Sequence, residues 1–217
     1  MEHPIKTDRT LLGAAWLVSM AFTPFIIPTV AFWALFMFLG YLIPIEYELI
    51  VVGIVFCFTF AIPVLIIYLF RRIHSLVSYD PGDRKKHFMP CLLNIASYAS
   101  CLLMMHLLDI PGYMIGIILV SLLLMIVFLF IKLKWNLSEH MGGAGEVIGA
   151  LVSFRYFFGY NPVLWLCFFI LLAGVLGSAR IILGHHKLSE VLFGFAVGLI
   201  CSLLVLHPMG DLFFYFI

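Results

Sequence analysis

The stretch with the most chemistry in this chain is Ser178-Ala-Arg180-Ile-Ile-Leu-Gly-His185-His186-Lys-Leu-Ser-Glu190. His186 and Glu190 are four residues apart at the start of a helix, so they share one face. A carboxylate there accepts from one imidazole nitrogen and leaves the other as nucleophile or base. Arg180 ends the preceding apolar run, where its guanidinium can fork two donors onto a phosphate. The plainer reading is interfacial snorkelling of Arg, His and Lys at helix ends. Arg, His and Glu at these spacings weigh against it.

A second polar stretch runs Lys132-Leu-Lys134-Trp-Asn136-Leu-Ser138-Glu139-His140, followed by Met-Gly142-Gly143-Ala-Gly145-Glu146. His140 opens a helix, whose free N–H groups and dipole favour an anion. Ser138 is a natural N-cap, and the glycines suit close helix packing in lipid. Glu146 lies two turns into an apolar run, where a carboxylate is costly and points to a function. A basic residue of the site is its natural partner. A third stretch, Asp83-Arg84-Lys85-Lys86-His87-Phe-Met-Pro90, fits lipid-headgroup contact or substrate-phosphate contact equally.

These stretches must be carried by membrane helices. Of 217 residues, 65% are apolar and only 11% are charged, and mean hydropathy is +1.18. A globule of this size cannot hide that much apolar surface. With a net charge of +1 the chain is no nucleic-acid binder, and its composition excludes disorder. The five cysteines sit in apolar runs without ligand spacing and read as buried small hydrophobes. No cleavable signal peptide is evident, because the first apolar stretch far exceeds an h-region.

Apolar runs fall at 10–42, 47–70, 90–108, 112–131, 141–158, 162–183 and 188–207. All are expected to be helical, since lipid requires each segment to satisfy its own backbone. The first would extend about 50 Å as one helix. Pro24 and Pro28 interrupt it, which predicts a short interfacial or half-buried helix to about Phe25 and a span from about Ile27 to Leu42. A hairpin dipping into the bilayer is the competing reading. Counting crossings puts 71–89, 132–140 and 180–187 on one face and the links 43–46, 109–111 and 159–161 on the other. All the Lys and Arg residues except Arg155 then lie on the first face, which the positive-inside rule makes cytoplasmic.

Together these residues resemble the type 2 phosphatidic acid phosphatase family, which carries K-x6-R-P, P-S-G-H and S-R-x5-H-x3-D on one membrane face. The third motif appears as Ser178-Ala-Arg180-x5-His186-x3-Glu190, with one residue inserted after Ser and Glu in place of Asp. It continues into Gly194-x3-Gly198, similar to the family's glycine-bearing last helix. The second survives as Leu137-Ser138-Glu139-His140, without Pro and Gly. Of the first, only Pro90 and nearby cations remain, and Lys132 or Lys134 could replace the missing Lys. The resemblance covers about residues 83–206.

The resemblance implies an all-α polytopic membrane helix bundle of about six to seven apolar segments with a phosphatidic-acid-phosphatase-type core. The whole chain would form one integral membrane domain, 1–82 supplying peripheral N-terminal helices and 83–207 the core. His186 would be the nucleophile, Glu190 its orienter, and His140 the acid and base. Arg180, Ser138, Arg84, Lys85, Lys86 and Lys134 would hold the phosphoryl oxygens, with no metal or cofactor. The implied activity is hydrolysis of a phospholipid phosphate monoester or a polyprenyl diphosphate in the plasma (inner) membrane. The alternative is a weak or inactive member that binds or moves a phospholipid. Well-known family members work on the non-cytoplasmic side, against the Lys and Arg distribution here. A metal site on His140, His185 and His186 is disfavoured, because adjacent histidines point about 100° apart on a helix. Oligomeric state is open, a homo-oligomer included.

Overall fold

The computed structural model describes residues 9–23, 25–39, 43–75, 85–132, 134–158 and 161–207. Its regular structure there is helical throughout: α1 (Arg9–Ala21), α2 (Ile27–Leu39), α3 (Ile45–Phe56), α4 (Ile62–Ser75), α5 (Lys85–Leu107), α6 (Gly112–Ile131), α7 (Glu139–Phe158), α8 (Val163–Ile182) and α9 (Leu188–Leu206). Among the described residues, four continuous helices are long and apolar enough to cross a membrane: Ile45–Leu69, Gly112–Ile131, Val163–Ile182 and Leu188–Leu206. The first joins α3 to α4 through a π-helical turn, Cys57–Ala61. That turn exposes the Phe58 carbonyl, which accepts a 2.6 Å hydrogen bond from the Ser97 hydroxyl of α5.

The break expected at Pro24 and Pro28 separates α1 from α2. Pro28 sits in the first turn of α2, where a missing N–H costs little. The outer surface is strongly apolar, with Leu164 85% exposed, as suits a lipid-facing bundle. The cysteines are free: Cys101 is buried as expected, whereas Cys57 and Cys167 lie exposed on that apolar surface.

The site is positioned by the packing of α7 on α9. Gly142, Gly145 and Gly149 of α7 face Gly194, Gly198 and Ser202 of α9. A Cβ on Gly198 would collide with the Gly142 carbonyl oxygen, and one on Gly145 with the Phe195 carbonyl oxygen. Only hydrogen fits between these backbones, the small-residue packing that helices use in lipid. At the top of the seam a Cβ on Gly194 would sit 2.7 Å from the Ser138 carbonyl oxygen. Hence the start of α7 is pressed against the first turns of α9.

Glu146 is 3% exposed, and its partner is not a basic residue of the site. It hydrogen-bonds the Ser121 hydroxyl of α6. This polar pair lines a cavity between α5, α6 and α7 with Asn94 and Tyr98, which extends to Lys132 and Glu139 at the α7 entry. Glu146 is thus satisfied inside the bundle by a hydroxyl of α6.

Candidate active site

His186 lies in the link between α8 and α9. Gly184 (φ +69°) supplies the left-handed turn that reverses the chain there. The His186 Nδ1 is 3.0 Å from the Asn136 carbonyl oxygen and 3.2 Å from Glu190 Oε2. A carbonyl can only accept, so Nδ1 carries the proton and Nε2 keeps its lone pair. Glu190 is held from a second side, because Oε2 also accepts the Lys187 N–H at 3.1 Å. This is the carboxylate half of a capping box that starts α9. The same carboxylate therefore caps a helix and orients a ring.

The α7 entry closes on this link. The Ser138 N–H donates to the Glu190 carbonyl at 3.4 Å. The Ser138 side chain departs from the sequence expectation: its hydroxyl is fully buried and makes no hydrogen bond, so it does not cap α7. A buried hydroxyl without a partner is costly.

Arg180 ends α8 on the same side of the bundle. Its Nη1 donates to the Ser19 hydroxyl of α1 at 2.8 Å, and its Nε is buried without a hydrogen-bond partner. His140 stands in the first turn of α7, one residue before the apolar run. Burial, and next the Arg180 charge, lower its pKa to about 4, while a hydrogen bond to the Ser19 backbone acts in the opposite direction. The charges of His186 and His185 add to the lowering. His140 is therefore neutral near pH 7 and stands beside the Arg180 cation, an environment in which an incoming anion is favoured.

The remaining expected residues sort by position. Lys132, one of the two candidates for the missing first-motif Lys, forms a 2.5 Å ion pair with Glu139 in which both side chains remain partly exposed. Lys134 is exposed and, with Asn136, Lys187 and Glu190, lines an open cleft beside the link. Lys85 and Lys86 open α5 in the backbone, their side chains lying outside the described residues, as does Arg84. Among the described residues, no three His, Cys, Asp or Glu side chains are grouped to hold a metal ion.

Two contributors escape sequence reasoning. The Asn136 carbonyl is a backbone group and carries no residue-type signal. Ser19 lies 161 positions from Arg180, and its only mark is a hydroxyl in an apolar helix.

Neither a curated protein nor a solved structure matches the chain. The family model described as PAP2 superfamily matches residues 95–213, more than half of the chain. The match takes in Ser138, His140, Arg180, His186 and Glu190, and leaves out α1 to α4. Motifs read from residue spacing and a match over this length agree: the chain belongs to the PAP2 superfamily, a group of phosphatase-type hydrolases.

Proposed function

We propose that this protein is a metal-independent membrane phosphatase that removes phosphate from a lipid phosphate monoester or a polyprenyl diphosphate through a phosphohistidine. The observation that carries this is the His186 ring, pinned at Nδ1 by Asn136 and Glu190 with Nε2 left free. Nε2 attacks phosphorus and the bond to the leaving oxygen breaks. Proton transfer from His140 turns the leaving alkoxide (or phosphate) into a neutral or less charged product. Water then attacks phosphorus as His140 takes its proton, the P–N bond breaks, and the imidazole is restored. Arg180 and Ser138 are the phosphoryl-binding groups, with Lys134 and the cations at 84–86 at the rim. They meet the negative charge in place of a metal.

His140 is neutral in the free site, so its role as acid needs a proton acquired with the substrate. A phosphate dianion beside it supplies the reason, because a nearby negative charge raises an imidazole pKa. Apolar helices directly below the site favour a substrate with a lipid tail. The excess of Lys and Arg makes the site face cytoplasmic in this reading.

The test is phosphate release from lipid phosphates by purified protein, with and without chelator. Wild type should turn over at least one of them in chelator, and His186→Ala should abolish turnover while extracting and folding normally. Residual turnover in His186→Ala, or loss of wild-type turnover in chelator, overturns the reading.

A further inference from the structure

Ser19 meets two groups of the site at once. Its hydroxyl accepts from Arg180 Nη1 at 2.8 Å, and its backbone is near enough to the His140 ring to oppose the lowering of that group's pKa. Ser19 is 7% exposed, near the end of α1, and α1 packs along α8. Arg180 is thereby anchored through one nitrogen while Nε stays buried and unpartnered. An Arg side chain otherwise loses considerable rotamer freedom when it binds an anion. A hydroxyl that fixes one end of the guanidinium removes part of that loss, and leaves other N–H groups for phosphoryl oxygens.

We propose that Ser19 is a positioning residue of the active site, so that α1, outside the matched part of the chain, completes the phosphate-binding half. This rests on the phosphatase reading above. The hydroxyl orients Arg180 for the phosphoryl group, through a side-chain bond that joins α1 to the end of α8. The same bond could instead compete with phosphate for Arg180, and the two roles have opposite signs.

The test compares orthovanadate affinity, read as protection against thermal unfolding of the purified protein, with KM and kcat. Ser19→Ala should weaken vanadate roughly tenfold and raise KM similarly, the scale for a hydrogen bond to a charged group. The effect on kcat should be smaller. Ser19→Thr, which keeps the hydroxyl, should restore most of the affinity. In an Arg180→Ala background, Ser19→Ala should cost nothing further, since the hydroxyl acts through that guanidinium. Tighter vanadate binding in Ser19→Ala, or an equal loss in the Arg180→Ala background, overturns the proposal. If instead wild type binds vanadate but releases no phosphate, the phosphatase reading fails and the Ser19–Arg180 coupling is still measured.

Discussion

The imidazole of His186 and the carboxylate of Glu190 lie 3.2 Å apart, and that carboxylate also receives the Lys187 N–H. One oxygen serves both ring and helix end. Glu190→Asp keeps a charged acceptor on a shorter arm and should retain turnover within about tenfold of wild type. Glu190→Gln presents an amide whose NH2 can donate to Nδ1 and so favour the wrong tautomer. Its turnover should fall by roughly 10² or more. Phosphate release from both variants checks the order. A larger loss for Asp would mean that Glu190 does not orient the ring.

Ser138 separates capping from ligand binding. An N-cap serine replaced by Ala costs about 1 kcal/mol of stability. The Ser138 hydroxyl makes no such bond, so Ser138→Ala should leave the unfolding midpoint unchanged or slightly higher. The same change should weaken orthovanadate several-fold if the hydroxyl contacts the phosphoryl group. A lowered midpoint with unchanged vanadate affinity would return Ser138 to a capping role.

The glycine seam makes a steric prediction. Gly198→Ala places a methyl against the Gly142 carbonyl, backbone against backbone, with no flexible atom to yield. Such overpacking costs roughly 1–3 kcal/mol or more and should reduce the yield of folded protein and turnover together. Gly53→Ala and Gly174→Ala are the controls, since a Cβ at either meets nothing within 4 Å. Both should be neutral or mildly stabilising by about 0.5–1 kcal/mol. Thermal unfolding in detergent ranks the three.

Proton uptake tests His140. Its pKa is lowered to about 4 in the free protein, so at pH 5.5 the ring is neutral. A bound dianion raises that pKa, and the ring then takes up a proton. The sign follows: affinity for a dianion should rise as pH falls toward 4. Sulfate is a suitable probe because its own charge is constant over this range. Calorimetry in two buffers of different ionisation enthalpy should show net proton uptake by wild type and none by His140→Ala. Equal uptake by the two proteins would remove His140 as the acid.

What could be read from the chain follows the range of each interaction. His186 and Glu190 are one helical turn apart, so their pairing is written in local spacing. The break between α1 and α2 is likewise local, set by Pro24 and Pro28. The partners of Arg180 and Glu146 are not local. Ser19 reaches Arg180 through the packing of α1 on α8, and Ser121 reaches Glu146 across the α6–α7 contact. Neither serine has a spacing that marks it. At Ser138 the local signal is ambiguous: a serine before a helix suits a cap, and only the packed structure shows a buried hydroxyl that makes no capping bond.

Sidedness is settled by labelling. The link before α7 carries Lys134 and the link after α5 carries Asp109, both exposed and on opposite ends of the intervening helix α6. Every Lys and Arg except Arg155 falls on the Lys134 side by the count of crossings, which predicts that this side is cytoplasmic. Cations gathered at a phosphate site produce the same bias, and labelling separates the two causes. Single cysteines at Lys134 and at Asp109, in a background where the five native cysteines are replaced by serine or alanine, provide the labelling sites. In intact cells an impermeant thiol reagent should label position 109 and spare position 134 until the membrane is permeabilised. The reverse pattern would put His186 and Arg180 on the outer face. The basic cluster would then reflect phosphate binding, and the positive-inside reading of this chain would be wrong.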